Sequence, residues 1–155
     1  MTPFHIVLVA PEIPQNTGTI GRLAVATDAV LHLVDPLGFS LEDKYLKRAG
    51  LDYWQFLTLH RWRNWQEFLD ALRPDARLLF FSTHGEKSYF AEKYRPGDYL
   101  VFGRESAGLP PEFYARYRES LRVIPMPGEH SRSLNLANAV SIVLYEALRQ
   151  TTYAG

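Results

Sequence analysis

Short apolar runs recur along this chain at intervals that are typical of buried strands. A nearly continuous apolar run over residues 4–10 predicts a strand that is buried on both of its faces. The other runs, rich in branched and aromatic residues, predict strands over residues 30–34, 77–82, 99–102 and 121–124. These segments are short enough for strands and too short for buried helices.

Helical spacing of apolar positions separates these strands. One predicted helix is capped by Asn16 and ends at about residue 28, and a second starts at Ser40 and ends before Gly50. A third is capped by Asn64 and ends before Pro74. The alternation indicates an α/β domain with a mainly parallel sheet flanked by helices. Ligands in such sheets bind beyond the carboxyl ends of the strands, where loops 11–16, 82–85, 103–108 and 125–133 are expected.

The last predicted helix, over residues 134–150, is apolar around most of its circumference. Its polar residues lie on one narrow stripe formed by Asn135, Asn138, Ser141 and Tyr145. A helix with so little polar surface must be buried on more than one side. One side is expected to pack on the sheet and the other on a second subunit, which predicts a homodimer. The alternative is a central helix in a monomer, which a domain of this size disfavours.

The composition is that of an ordinary globular protein. The 155 residues, 46% of them hydrophobic and 22% charged, fit a single domain over residues 1–155. The absence of cysteine excludes disulfides, a thiolate nucleophile and thiolate zinc sites, and the histidines lack the spacing of metal ligands, so no metal is expected. No apolar run is long enough to span a bilayer, which predicts a cytoplasmic protein with no membrane partner.

Basic and acidic residues balance at 17 each, so any contact with a polyanion has to be local. The candidate basic clusters are Lys44, Lys47 and Arg48, then Arg61 and Arg63 around Trp62, then Arg116, Arg118 and Arg122, and finally Arg132. For any single cluster the more common alternative is a solvated helix face. Tryptophan in such a cluster could be a packing residue or a nucleic-acid contact.

Three segments combine glycine, amide and charged residues in patterns that favour ligand binding. The loop 103–108 follows a predicted strand, and its glycines permit close approach of a ligand, although an ordinary strand-to-helix turn would show the same pattern. Ser133 and Asn135 stand where the last helix begins, which suits an anion, whereas capping by Ser133 would explain the serine alone. Asn16 and Arg22 belong to the first helix, where Arg22 could also be a structural ion-pair partner.

Together these segments resemble the three motifs of the SPOUT methyltransferase superfamily, in its branch of tRNA and rRNA ribose 2′-O-methyltransferases. The matching stretches are residues 11–22, 100–110 and 124–141, within a resemblance that runs from about His5 to Gln150. With Arg48-Ala-Gly-Leu-Asp-Tyr53 and no additional RNA-binding domain, the chain is most similar to the minimal members of that branch. The resemblance implies the SPOUT fold, with a C-terminal trefoil knot, and a homodimer formed through the first and last helices.

The resemblance also implies a reaction, a cofactor and a set of site residues. The reaction is 2′-O-methylation of the wobble nucleotide of tRNA, a cytidine or modified uridine, with leucine tRNAs as the expected substrates and S-adenosylmethionine as the methyl donor. The positions that would bind the cofactor are Phe81, Ser82, Thr83, Gly103, Glu105, Ile124, Met126, Ser133, Leu134 and Asn138. The reaction centre would consist of Arg22, Asn16, Glu105, Ser133, Asn135 and Asn138.

The roles of two of these residues follow from their chemistry. Arg22 is expected to anchor the phosphate next to the target ribose and to favour the developing alkoxide, because a guanidinium gives up its proton with great difficulty. Glu105 could orient the cofactor or accept the proton. Two other functions stay open: a related enzyme that methylates ribosomal RNA, and a non-catalytic nucleotide-binding module.

Overall fold

Seven short strands build the centre of the molecule in the computed structural model, which describes residues 2–153. In chain order they are β1 (His5–Val9), β2 (Val30–Val34), β3 (Leu59–Trp62), β4 (Leu78–Phe81), β5 (Lys87–Ser88), β6 (Tyr99–Phe102) and β7 (Leu121–Val123). They form one sheet in the order β3-β2-β1-β6-β4-β7-β5, and every pair of neighbours is parallel. The predicted α/β class with a mainly parallel sheet is therefore confirmed.

Helices cover both faces of this sheet. They are α1 (Pro14–Thr27), α2 (Lys44–Gly50), α3 (Trp65–Asp70), α4 (Phe113–Arg116) and α5 (Leu136–Thr151), with 3-10 turns at Leu51–Phe56, Tyr89–Ala91 and Arg118–Ser120. Apolar side chains of α1 and α5 pack in one core cluster with one face of the sheet, and those of α3 and α4 pack in a second cluster on the opposite face. No helix in residues 2–153 has the length and apolar character needed to cross a bilayer.

The strand β1 shows why its run of apolar residues is continuous. Ile6 and Leu8 point toward α1 and α5, whereas Val7 and Val9 point toward α3 and α4. All four side chains are buried. A central strand of a parallel sheet has no solvent face, as the pattern predicted.

Three predicted helix starts are wrong. The helix expected from Ser40 begins at Lys44, because Asp43, which accepts from the N–H groups of Tyr45 and Leu46, caps it. α1 begins at Pro14, and Asn16 is buried inside its first turn rather than capping it. Proline is favoured at this position because it has no N–H to leave unpaired, and the N–H groups of Glu12 and Ile13 just before the helix are bonded from another loop, as described below. α5 begins at Leu136 with Asn135 as its cap, so Ser133 lies outside the helix.

Three elements escaped the prediction because they are short or lie at an edge. β3 and β5 are the two outermost strands, and neither has a buried residue. α4 is a single turn. The position of β7 between β4 and β5, followed by α5 on the sheet, fits the knotted fold that the resemblance implies, and the threading itself stays a prediction. The predicted domain 1–155 includes residues 1, 154 and 155, which lie outside the described residues, as do the side chains of residues 50–52.

Candidate functional site

A cavity of about 510 Å³ opens at the carboxyl ends of β4, β6 and β7, where the fold class places ligands. Five separate parts of the chain line it: the start of α1, the loops after β4 and β6, α4, and the segment from β7 to α5. The predicted site residues that the structure brings together here are Asn16, Phe81, Ser82, Thr83, Gly103, Glu105, Ile124, Met126, Ser133, Leu134 and Asn135. Arg22 and Asn138 do not line it.

The inner wall of the cavity is apolar. Phe81 and Phe102 lie on neighbouring strands, and their rings stack at a centroid distance of 5.0 Å. Ile124 and Leu136 extend this wall. Polar groups are confined to the loops at the rim, which is the usual construction of a site for a flat organic ring with polar substituents.

The loop after β6 forms a tight turn that only glycine permits. Arg104 and Gly108 exchange two backbone hydrogen bonds of 3.0 and 2.8 Å, and Gly108 has a φ of +73°. A Cβ atom on Gly103 would lie 2.0 Å from the carbonyl carbon of Gly108. The glycine predicted to allow close approach of a ligand is thus required first for the approach of two backbone segments.

The carboxylate of Glu105 lies at the amino end of α1. Its Oε1 accepts a hydrogen bond from the backbone N–H of Glu12 at 2.7 Å, and its Oε2 accepts one from that of Ile13 at 2.8 Å. These groups belong to the end of a helix that carries a partial positive charge. Glu105 therefore supplies, from another loop, the cap that α1 lacks in its own sequence.

Glu12 makes the reciprocal contact with the loop after β6. Its carboxylate accepts hydrogen bonds from the N–H and hydroxyl of Ser106 at 2.9 and 2.6 Å and from Arg104 at 3.1 Å. The bonds from Arg104 and Ser106 lower the pKa of Glu12 to about 2. The two loops are thus held together from both sides, and no local pattern had identified Glu12.

Asn16 connects all three motifs. Its side-chain N–H donates to Glu105 at 3.2 Å, and its carbonyl oxygen accepts from the amide of Asn135 at 3.0 Å. The carbonyl oxygen of Asn135 in turn accepts from the backbone N–H groups of Ala137 and Asn138 at the start of α5. Asn16 is 8% exposed, whereas Glu105 is half-buried and Asn135 is exposed, so the relay is shielded from water at its centre and open to solvent at the Asn135 end.

Tyr114 is a further lining residue that the motifs did not indicate. Its hydroxyl accepts a hydrogen bond from the hydroxyl of Ser82 at 3.3 Å. The Ser82 oxygen also accepts from the N–H of His84, which holds the turn after β4. Tyr114 lies more than ten residues after the end of β6. The turn at α4 brings it back to the cavity.

Arg22 lies on the side of α1 that points away from the cavity. It follows Asn16 by six residues, which corresponds to about 9 Å along the axis and about 240° around it. The guanidinium is exposed and lies 4.8 Å from the centre of the Tyr53 ring. Asn138 is also exposed, on α5, so neither residue reaches the cavity of its own chain.

The family model described as SpoU rRNA methylase matches residues 3–145. The chain belongs to this family, which confirms the resemblance drawn from the three motifs. The family's methyl donor is S-adenosylmethionine, and the protein is therefore an enzyme of the methyltransferase class. Within residues 2–153 no group of three or more potential metal ligands is present.

Relatives of this chain match it over nearly its whole length. A tRNA (cytidine(34)-2'-O)-methyltransferase from Polaromonas sp. is 49% identical over 155 residues, covering 98% of this chain and 93% of that protein. A solved structure from work on the 2-OH methylation of C/U34 on tRNA is 50% identical, with a TM-score of 0.94 and 98% of each chain covered. An AdoMet-bound rRNA methyltransferase from Sinorhizobium meliloti is 30% identical, with a TM-score of 0.85, covering 96% of this chain and 57% of that one.

Proposed function

We propose that this enzyme transfers a methyl group from S-adenosylmethionine to the 2′-hydroxyl of the wobble nucleotide of tRNA. The observation that carries the proposal is the convergence of three distant motif segments on one cavity of about 510 Å³. The 49% identical relative that is named for this reaction at nucleotide 34 supports the substrate. Leucine tRNAs are the proposed substrates within that class, and the cytoplasm, where tRNA is used, is the proposed location.

The residues of the cavity fit the proposed cofactor. Phe81, Ile124 and Leu134 offer apolar surface for the adenine ring, and Ser82 and Ser133 offer hydroxyls at the rim. The volume lies within the range of about 300 to 1,000 Å³ that is usual for small-molecule sites. When bound, S-adenosylmethionine supplies a methyl group on a sulfonium centre, which an attacking ribose oxygen displaces.

Glu105 is proposed to organise the site rather than to accept the proton. Both of its oxygens are engaged by the two N–H groups at the start of α1 and by Asn16. These three hydrogen bonds fix the carboxylate between the start of α1 and the loop after β6. Its removal is expected to displace the loop that lines the cavity.

The homodimer predicted from α5 gives Arg22 a place in the reaction. Arg22 points away from its own cavity, and the outer side of α5 exposes Ile142 (36%) and Tyr145 (51%) next to Asn138. We infer that these side chains lie between two subunits and that Arg22 of one subunit serves the cavity of the other. There its fixed charge would hold the phosphate next to the target ribose and stabilise the developing alkoxide.

The function is tested by incubating the purified protein and S-adenosylmethionine with tRNA or ribosomal RNA and mapping ribose methylation by mass spectrometry. A methyl group on nucleotide 34 of tRNA is the expected product. Methylation of ribosomal RNA alone would favour the related rRNA enzyme, and a protein that binds the cofactor without transferring methyl to either RNA would favour a binding module.

The role of Arg22 is tested in the same assay. Arg22→Ala should lower methyl transfer by a factor on the order of 100 or more, with cofactor affinity unchanged in titration calorimetry. Arg73→Ala is the control, because Arg73 is 88% exposed and lies before β4, at the opposite end of the sheet. Parental activity in Arg22→Ala would contradict the assigned role. In mixed dimers of Arg22→Ala with a subunit whose cavity is inactivated, one working site should be recovered.

A further inference from the structure

A cluster of basic and aromatic side chains lies on the surface around α2 and the 3-10 turn that follows it. We call this cluster the α2 patch and define it as Lys44, Tyr45, Arg48, Tyr53 and Phe56, all of which are exposed. Phe56 is 71% exposed, Tyr45 43% and Tyr53 40%. The ammonium group of Lys44 lies 5.2 Å from the centre of the Tyr45 ring. The patch thus combines exposed aromatic rings with positive charge.

The positive charges of the α2 patch are available for an external partner. Lys44 and Arg48 form no ion pair with any residue in the described part of the chain. In the cluster around Trp62, Arg61 pairs with Asp35 and Arg63 pairs with Glu67. In the third cluster Arg122 pairs with Glu92, whereas Arg116 and Arg118 form no ion pair with a described residue. Lys44 and Arg48 therefore offer unpaired positive charges at α2, beside the carboxylate of Asp43 that caps this helix.

The other candidate aromatic residues are used for packing. The indole N–H of Trp62 donates to His32 at 3.1 Å, and that of Trp65 donates to Tyr117 at 2.9 Å. Both tryptophans pack against the core cluster of α3 and α4. The predicted alternative, in which tryptophan near Arg61 contacts RNA, is thus less favoured than an RNA contact at the α2 patch.

A fixed backbone presents the aromatic side chains of the α2 patch to solvent. Trp54 packs against α1 so closely that a Cβ atom on Gly21 would lie 2.8 Å from its ring. The same atom would lie 3.3 Å from Leu57. Because Trp54 and Leu57 anchor the turn at both sides, Phe56 between them is held outward although exposure of its ring contributes nothing to folding.

The α2 patch adjoins the arginine that the proposed reaction requires. The guanidinium of Arg22 lies 4.8 Å from the centre of the Tyr53 ring, so Arg22 contacts the edge of the α2 patch. An RNA segment whose phosphate is held by Arg22 would continue across this surface. Single-stranded RNA is bound by aromatic rings that stack on bases and by Lys or Arg that contact phosphates.

We propose that the α2 patch binds the single-stranded RNA that flanks the target nucleotide. In this assignment Phe56 stacks on an unpaired base, Lys44 and Arg48 contact phosphates, and Tyr53 positions Arg22. The inference rests on the proposed function, because it takes the unpaired nucleotides of an RNA loop as the ligand.

The test measures RNA binding directly, with a fluorescently labelled tRNA anticodon stem-loop and the full-length protein. Phe56→Ala should weaken binding by about tenfold or more, which is the usual effect of losing one stacked base, and Phe56→Trp should restore it. Lys44→Ala and Arg48→Ala should each reduce the dependence of log affinity on log salt concentration by about 0.7. Cofactor affinity, measured by calorimetry, should stay at the parental value in all of them.

Matched controls come from another surface of the same chain. Phe90 is 58% exposed and lies in the 3-10 turn at Tyr89–Ala91. Lys93 follows this turn and is exposed without an ion pair among the described residues. Phe90→Ala and Lys93→Ala should bind the RNA as the parent does. Equal RNA affinity of Phe56→Ala and Phe90→Ala would overturn the inference.

Two further results separate this inference from its alternatives. A change in the sedimentation of Phe56→Ala without RNA would identify the patch as a contact between copies of the chain and overturn the RNA assignment. Methylation mapping with the parental protein tests the proposed function independently. Methyl transfer to nucleotide 34 together with RNA binding that ignores Phe56→Ala would overturn only the role of the α2 patch.

Discussion

Acidification from pH 7.5 to pH 5 should destabilise this protein through two histidines on neighbouring strands. The indole N–H of Trp62 donates to Nδ1 of His32, so this nitrogen carries no proton and Nε2 does. Nε2 of His32 then donates to Nδ1 of His5 at 2.9 Å. Both rings are therefore neutral in the folded protein. A positive charge on His32, which is only 5% exposed, would be largely shielded from water.

The pKa values of both histidines are lowered by burial first and by neighbouring imidazoles second. The pKa of His32 falls from 6.5 to about 3, with His5 and His60 adding to the effect of burial. That of His5 falls to about 4, with a contribution from His60. Below pH 6.5 these two histidines bind protons in the unfolded chain but stay neutral in the folded protein. Their contribution to stability is therefore complete above pH 6.5 and is lost as the pH falls toward the lowered pKa values.

The loss is about 1.4 kcal/mol per pH unit for each histidine. At pH 5 this amounts to about 2 kcal/mol for His32 and at most about 2 kcal/mol for the partly exposed His5. The sum is a large part of the total stability of about 5–15 kcal/mol of a typical domain. Carboxyl groups with lowered pKa values, such as Glu12 beside Arg104 and Glu146 beside Arg149, lose their stabilisation only below pH 4.5 and do not contribute in this interval.

Urea unfolding at 25 °C between pH 7.5 and pH 5 measures this effect. His32→Gln retains an acceptor for Trp62 and a donor for His5 without a titrating ring, so its stability should fall with pH at half the parental slope or less. His130→Gln is the control, because His130 is exposed in the loop before α5. A parental protein whose stability does not change over this interval, or a His32→Gln variant with the parental slope, would refute the reasoning.

Two other substitutions test the packing of the site, and a third tests a buried ion pair at the opposite end of the sheet. Gly103→Ala should abolish cofactor binding in calorimetry, because its Cβ would collide with the backbone of Gly108, while the circular dichroism spectrum stays close to the parental one. Glu105→Gln should reduce the free energy of unfolding by about 1 kcal/mol by removing charge from the amino end of α1, and a stability equal to the parent would contradict the capping role. Asp98→Ala should reduce it by about 3 kcal/mol or more in urea, because Asp98 is 2% exposed and its loss leaves Arg77 without its closest partner.

The sequence predicts best where one residue type has one structural use. The continuous apolar run of β1 identified a strand buried on both faces, and the glycines after β6 identified a turn that lines the cavity. Both inferences needed only neighbouring residues. The outermost strands β3 and β5 escaped because a half-exposed edge strand has neither a continuous nor an alternating apolar pattern.

The internal connections of the site could not be predicted in this way. Glu105 bonds to Glu12 across 93 residues of sequence and Ser106 bonds to Glu12 across 94, and nothing near these residues indicates the partner. Asn16 was assigned as a cap because amides commonly cap helices, whereas Pro14 starts the helix without an N–H and the distant Glu105 accepts from the N–H of Ile13. The direction of Arg22, by contrast, was accessible from the sequence, since a separation of six helical residues places it far around the helix from Asn16.

The strand order has a consequence for the nascent chain. β6 lies between β1 and β4, so β1 keeps one open edge until residues 99–102 have emerged from the ribosome. Until then β1 and β2 form only half a sheet, and their apolar faces lack the cover that α5 provides last of all. Synthesis of this protein thus passes through a stage in which most of the chain is present but its sheet is incomplete. At that stage the largest apolar surface is exposed to a chaperone.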